Sequence, residues 1–124
     1  MRRSMRETAG DTQVLVVDDD VMVARGYGRL LRHRGAEVTI ATSAKEALGL
    51  MAAKAFDVVV SDIKMPGEDG ISMLRAVREL DADLPVILMT GYPTIETASQ
   101  AVELGAQQYL MKPLAERSLE AAVE

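Results

Sequence analysis

Carboxylates gather in this chain where strands should end. The stretch VLVVDDDVM (14–22) sets Asp18, Asp19 and Asp20 directly after four apolar residues. A second apolar run, VVVS, leads into Asp62; PVILM leads into Thr90 and QYLM into Lys112. Two carboxylates at close range cannot both stay ionised cheaply, so a pocket shared by Asp18, Asp19 and Asp62 calls for a cation. Oxygen-only donors in small number suit Mg²⁺, or Mn²⁺ in its place, better than Ca²⁺. Lys112 brings a point charge on a flexible stem that can hold an anionic group, and Thr90 brings a hydroxyl donor. A carboxylate beside a divalent ion, an ammonium and a hydroxyl is equipment for phosphoryl transfer, with the carboxylate attacking in line. Asp62 stands by itself and is the expected nucleophile. Asp18 and Asp19 form a pair better suited to holding the ion. Asp20 has a plainer use, as cap of the helix that follows.

Something must bring these residues together. Short apolar runs alternate with segments of helical period, which predicts an α/β chain with a parallel sheet. Strands are expected at 13–17, 37–42, 57–61, 85–90 and 108–112. The first, third and fourth have continuous apolar cores, as strands covered on both faces do. EVTIAT alternates polar with apolar and QYLMK is mixed, so both belong at sheet edges. The result is a flavodoxin-like doubly wound sheet of five strands, order 2-1-3-4-5, with five helices. Ligands of such a sheet bind beyond its carboxyl ends. There, strands one, three, four and five deliver acid, acid, hydroxyl and amine.

The helices have local signals of their own. Ser43 and Glu46 form a capping box, and Thr94 can cap the fourth helix. Gly35 and Gly105 stand where the first and fourth should stop. Pro66, Gly67 and Gly70 read as turn formers, and Glu68 and Asp69 as solvated loop or cap residues. His33, between Arg32 and Arg34 near a helix end, reads as a solvated cation rather than a phosphohistidine relay.

The totals set bounds. A chain of 124 residues, 48% apolar and 27% charged, fits one globular domain. Its net charge of −5 argues against a general nucleic-acid surface. Without cysteine it has no disulfide and no thiol chemistry. Apolar runs as short as PVILM do not span a membrane, and a cytoplasmic location is expected. Residues 1–11 read as a flexible N-terminal tail and residues 12–124 as the domain. The last helix stops at SLEAAVE without a cap, so it is expected to be truncated, with an effector domain C-terminal to Glu124.

The four motifs VLVVDDD, DVVVSDIKMPGEDG, PVILMTG and GAQQYLMKP occur in this order. Together they resemble the response-regulator receiver domains of bacterial two-component signalling, over about residues 12–124. The resemblance implies that Asp62 is the phosphoacceptor and that Asp18 and Asp19 help bind Mg²⁺, Asp19 directly. It also implies that the backbone carbonyl of Lys64 completes the metal site, and that Thr90 and Lys112 contact the phosphoryl group. Tyr109 takes the place of the aromatic switch residue, and Pro113 follows the lysine through a peptide bond usually cis in such domains. The donor would be a sensor histidine kinase or a phosphotransfer protein. Phosphorylation would switch the surface of helix four, strand five and helix five, which could also serve a homodimer. Lys64 and Tyr92 sit where receivers vary; their bulk is expected to hinder attacking water and slow self-dephosphorylation.

Three other readings compete. A phosphatase of the haloacid-dehalogenase type forms an aspartyl phosphate but places a second aspartate two residues after the nucleophile, where this chain has Lys64. A flavodoxin would not set three carboxylates against a flavin phosphate. A receiver-like interaction domain without phosphorylation would be favoured by loss of Asp19, Asp62 or Lys112, and all three are present.

Overall fold

The computed structural model describes residues 12–112 and 121–123. The expected tail at 1–11, Pro113 and most of the expected fifth helix lie outside these residues. Five strands, β1 (Gln13–Val17), β2 (Glu37–Ala41), β3 (Val58–Asp62), β4 (Val86–Thr90) and β5 (Gln108–Met111), alternate with four helices. The helices are α1 (Val21–His33), α2 (Ala44–Ala53), α3 (Gly70–Leu80) and α4 (Ile95–Glu103). Residues 121–123 are helical and form the described part of α5. All strand pairs are parallel, in the order β2-β1-β3-β4-β5.

The sheet has the five strands and the order expected from the sequence, with ends displaced by one residue. β3 starts at Val58 rather than 57 and ends on Asp62, which is thus the last residue of a central strand and not the first of a loop. Asp57 drops out of the strand because its carboxylate turns back to accept the Gln13 N–H at 2.8 Å.

Alternate residues of the buried strands face opposite layers, as period two requires. Leu15, Val17, Val59, Val86 and Leu88 pack with α2, α3 and Ala101 of α4. Val14, Val16, Val60, Ile87 and Met89 pack with Ala24 and Leu31 of α1 and with Ala122 and Val123 of α5. Every residue of β3 and β4 is buried, whereas β2 and β5 are half-exposed edges. Each fully buried Val, Leu or Ile contributes about 1.5–3 kcal/mol, which fixes the strands firmly enough to carry charged residues at their ends.

The caps fall where the sequence put them. Thr94 Oγ1 accepts the Thr97 N–H at 3.0 Å, and Asp20 Oδ1 accepts the Met22 N–H at 3.0 Å. The capping box of α2 is half displaced. Ser43 Oγ accepts the Glu46 N–H at 3.1 Å, but the Glu46 carboxylate reaches past Ser43 to the Thr42 N–H at 2.7 Å. Gly35 and Gly105 have φ of 96° and 70° and end α1 and α4 in Schellman turns. In α4 the Ala106 N–H bonds Ala101 O at 2.9 Å, and the Gly105 N–H bonds Val102 O at 3.0 Å.

Candidate functional site

Sheet register brings the polar residues into one row. Val17 pairs with Ser61, so Asp18 follows on β1 beside Asp62. Asp62 pairs with Met89, one residue before Thr90, and Thr90 pairs with Met111, one residue before Lys112. Asp18, Asp19 and Asp62 each offer a carboxylate oxygen within 4.8 Å of the others. Asp18 and Asp62 are 1% and 7% exposed, while Asp19 is open to solvent.

The Lys112 ammonium answers them. Its Nζ donates to Asp18 Oδ2 at 2.7 Å and lies 3.3 Å from Asp62 Oδ2. Asp18 Oδ1 accepts the Asp20 N–H at 3.0 Å, which holds the turn after β1. Asp20 itself caps α1, so of the three consecutive acids two face the site and one serves the helix. Burial pushes the Asp62 carboxyl above the usual carboxylate range; Lys112 opposes that shift and Asp18 adds to it. Burial alone would lower the Lys112 ammonium, but its hydrogen bond to Asp18 and the two carboxylate charges outweigh burial and raise it. The lysine therefore stays charged. Three carboxylates against one ammonium still leave the pocket negative, and its all-oxygen donor set fits a hard divalent cation.

Thr90 is buried at 1% exposure, and its Oγ1 accepts the Tyr92 N–H at 3.0 Å. A hydroxyl used there as acceptor keeps its own proton for another oxygen. Tyr109 is half-buried on the edge strand. Its hydroxyl lies 2.7 Å from Thr97 Oγ1 and accepts the Thr94 N–H at 3.4 Å, so it touches the first turn of α4. Lys64, two residues beyond Asp62, stacks its ammonium 5.3 Å from the centre of the exposed Tyr92 ring. The two bulky residues expected to screen the acceptor are thus in contact, and they border a groove of about 530 Å³ that Thr90 also lines.

Gly70 differs from the turn former that its sequence context suggests: among the described residues, the glycines in the left-handed region are Gly35, Gly67 and Gly105. Space, not φ, is its reason. A Cβ on Gly70 would lie 2.4 Å from Asp62 O and 2.8 Å from Ile63 Cα, and its N–H donates to Ile63 O at 2.8 Å. The start of α3 is pressed against the backbone that bears the acceptor candidate. Asp69 Oδ1 caps that helix through the Ser72 N–H at 2.8 Å. The sequence signal available was the pair Asp69-Gly70 at a helix start, and it does not distinguish turning from close approach.

Residues 14–124 match the family model of the response regulator receiver domain, and the chain belongs to that family. Among curated proteins it is 38% identical over 117 residues to the transcriptional regulatory protein ZraR of Escherichia coli K12, covering 94% of this chain and 26% of that protein. It is 40% identical over 102 residues to the C4-dicarboxylate transport transcriptional regulatory protein DctD of Rhizobium meliloti, covering 82% of this chain and 22% of that protein. The chain therefore spans about a quarter of the length of these relatives. Among solved structures, a CheY-like receiver domain protein from Methanospirillum hungatei superposes with a TM-score of 0.86 at 32% identity, covering 89% of this chain and 88% of that one. A response regulator from Burkholderia pseudomallei, solved with a phosphorylated aspartic acid and a calcium ion, gives 0.85 at 36% identity over 92% and 67% of the two chains. Among the described residues no helix is long and apolar enough to cross a membrane.

Proposed function

We propose that this chain is a phosphoacceptor signalling module in which Asp62 receives a phosphoryl group from the phosphohistidine of a sensor kinase or phosphotransfer protein. The observation that carries the proposal is the row in which Asp62, itself buried, is held 3.3 Å from the Lys112 ammonium and beside Asp18 and Asp19. An Asp62 carboxylate oxygen attacks phosphorus, a P–O bond forms, the P–N bond breaks, and the imidazole leaves and takes up a proton. Lys112 offsets the negative charge on the phosphoryl oxygens, and the Thr90 hydroxyl donates to one of them. Asp18, Asp19, Asp62 and the Lys64 carbonyl would hold Mg²⁺, which when bound supplies further positive charge to the same oxygens. Because the acceptor is a side chain of the protein, the phosphoryl stays on the domain; the chain catalyses its own modification and its reversal but is not a turnover enzyme.

The added group brings about −1.5 to −2 charge. Thr90 turns toward it, which releases the Tyr92 N–H, and Tyr109 exchanges its place against Thr97 for an inward one. The surface of α4, β5 and α5 then shifts between two packings, biased by one covalent charge. Ile95, Val102 and Met111, at 89%, 78% and 62% exposed, give that surface the apolar area that a homodimer or an effector needs. Its setting is the cytoplasm, with an effector domain following Glu124 as the length of the relatives suggests, and without a membrane or nucleic-acid contact of its own.

Incubation with Mg²⁺ and acetyl phosphate, followed by intact mass measurement, tests the chemistry. The parent should gain one phosphoryl and Asp62→Asn none; equal gain by both would refute the acceptor assignment. The same sample tests the screening by Lys64 and Tyr92: the phosphoryl should persist for minutes or longer, and loss within seconds would contradict it.

A further inference from the structure

The two ends of α4 are held by different means. At the C-terminal end, Ala101 is buried, and Leu104 and Ala106 pack against the core layer under α2 and α3. The Schellman turn satisfies Ala101 O and Val102 O. Arg78, from the last turn of α3, takes two carbonyls beyond them: its Nε donates to Leu104 O at 2.7 Å and an Nη to Gly105 O at 3.0 Å. The same guanidinium donates to Leu84 O at 2.8 Å and Asp81 O at 3.2 Å, at the end of α3 and the entry to β4. One charged fork thus ties the C-terminal ends of two helices to the sheet, with cation and dipole in their favourable sense. At the N-terminal end, residues 91–96 are all exposed. The first turn of α4 is met there by the Tyr109 hydroxyl, at Thr97 Oγ1 and the Thr94 N–H, and the Lys64 ammonium lies 5.3 Å from the centre of the exposed Tyr92 ring. That end also joins directly to the Thr90–Tyr92 turn.

From this asymmetry we infer that Arg78 is a positioning residue that pins the C-terminal end of α4, so that rearrangement started at the site moves the first turns of the helix and stops at the pin. The inference rests on the phosphoacceptor reading for the origin of the movement, but the pin itself does not depend on it. Charge-assisted bonds to four carbonyls are harder to exchange than two neutral contacts of one half-buried hydroxyl, so a helix pulled at one end yields at the hydroxyl end.

Residue-resolved amide exchange by NMR, before and after treatment with Mg²⁺ and acetyl phosphate, tests this, with phosphoryl uptake followed by intact mass. In the parent, phosphorylation should alter exchange and shifts over 91–98 and leave 101–106 unchanged. In unmodified Arg78→Gln the amides of Leu104, Gly105 and Ala106 should exchange about tenfold faster. Its phosphoryl uptake should match the parent, and phosphorylation should now perturb 101–106 as well. Arg78→Lys, which keeps the charge but not the fork, should lie between the two. Equal perturbation of both ends in the phosphorylated parent overturns the inference, and so does unchanged protection of 104–106 in Arg78→Gln. If Arg78→Gln fails to fold, the parent comparison decides. If the parent takes up no phosphoryl, the functional reading fails, while exchange in unmodified parent and variants still decides the pin.

Discussion

Acids stand at both ends of this sheet, but they are treated in opposite ways. At the amino ends of the strands, Asp57 accepts the Gln13 N–H at 2.8 Å and Glu37 bonds the Gln13 side-chain amide. Each carboxylate there has a neutral donor of its own and keeps access to water. At the carboxyl ends, two acids are buried, a third joins them within 4.8 Å, and a single ammonium serves the group. Packing alone does not call for that arrangement, because desolvated like charges oppose folding. An acid at a strand end is informative by its company: each amino-end carboxylate has a neutral donor, whereas the carboxyl-end acids share one another's charge and the Lys112 ammonium.

Substitutions at the two ends of the sheet should differ in their cost. The largest effect is expected for Lys112→Met, which leaves buried Asp18 and Asp62 without their counter-charge; breaking such a pair costs about 3 kcal/mol or more. Chemical denaturation should show that loss, and phosphoryl uptake should fall with it. Gly70→Ala should come next, because the new methyl must displace the Asp62 backbone, at about 1–3 kcal/mol for overpacking. Gly26→Ala is its control, since a Cβ there meets nothing within 4 Å and should stabilise α1 by up to about 1 kcal/mol. Thermal melts of the two variants should move in opposite directions.

Asp62→Asn carries a sign of its own. Burial raises the Asp62 pKa in the folded state, so the native protein holds its proton to higher pH than the unfolded chain does. Stability from this group is present at low pH and is lost as pH rises through the folded pKa. In metal-free buffer the asparagine variant should therefore melt higher than the parent near neutrality, and the gain should vanish on acidification. Parent and variant melting alike at all pH values would mean that the site is not strained. The smallest effect is expected for Asp57→Asn at the other end of the sheet, within about 1 kcal/mol and with little dependence on pH.

The strands and their order were legible because apolar runs of differing continuity distinguish central from edge strands, and the residues of the site followed from where those runs end. Caps at Asp20, Ser43 and Thr94 were legible for the same local reason. What escaped was set by distance in three dimensions. Gly70 reveals its role through the carbonyl of Asp62, eight residues earlier, and the Glu46 carboxylate chose Thr42 over Ser43 by side-chain reach. Arg78 carried no signal at all, since its partners are carbonyls, which every residue has.

A Mg²⁺ titration of the parent and Asp19→Asn, followed by amide shifts, probes the carboxyl-end pocket itself. Binding there should give saturable changes confined to residues 18–20, 62–64, 90–91 and 112 in the parent, and a large loss of affinity in the variant. Shifts scattered over both ends of the sheet, or equal affinity in the two proteins, would contradict it.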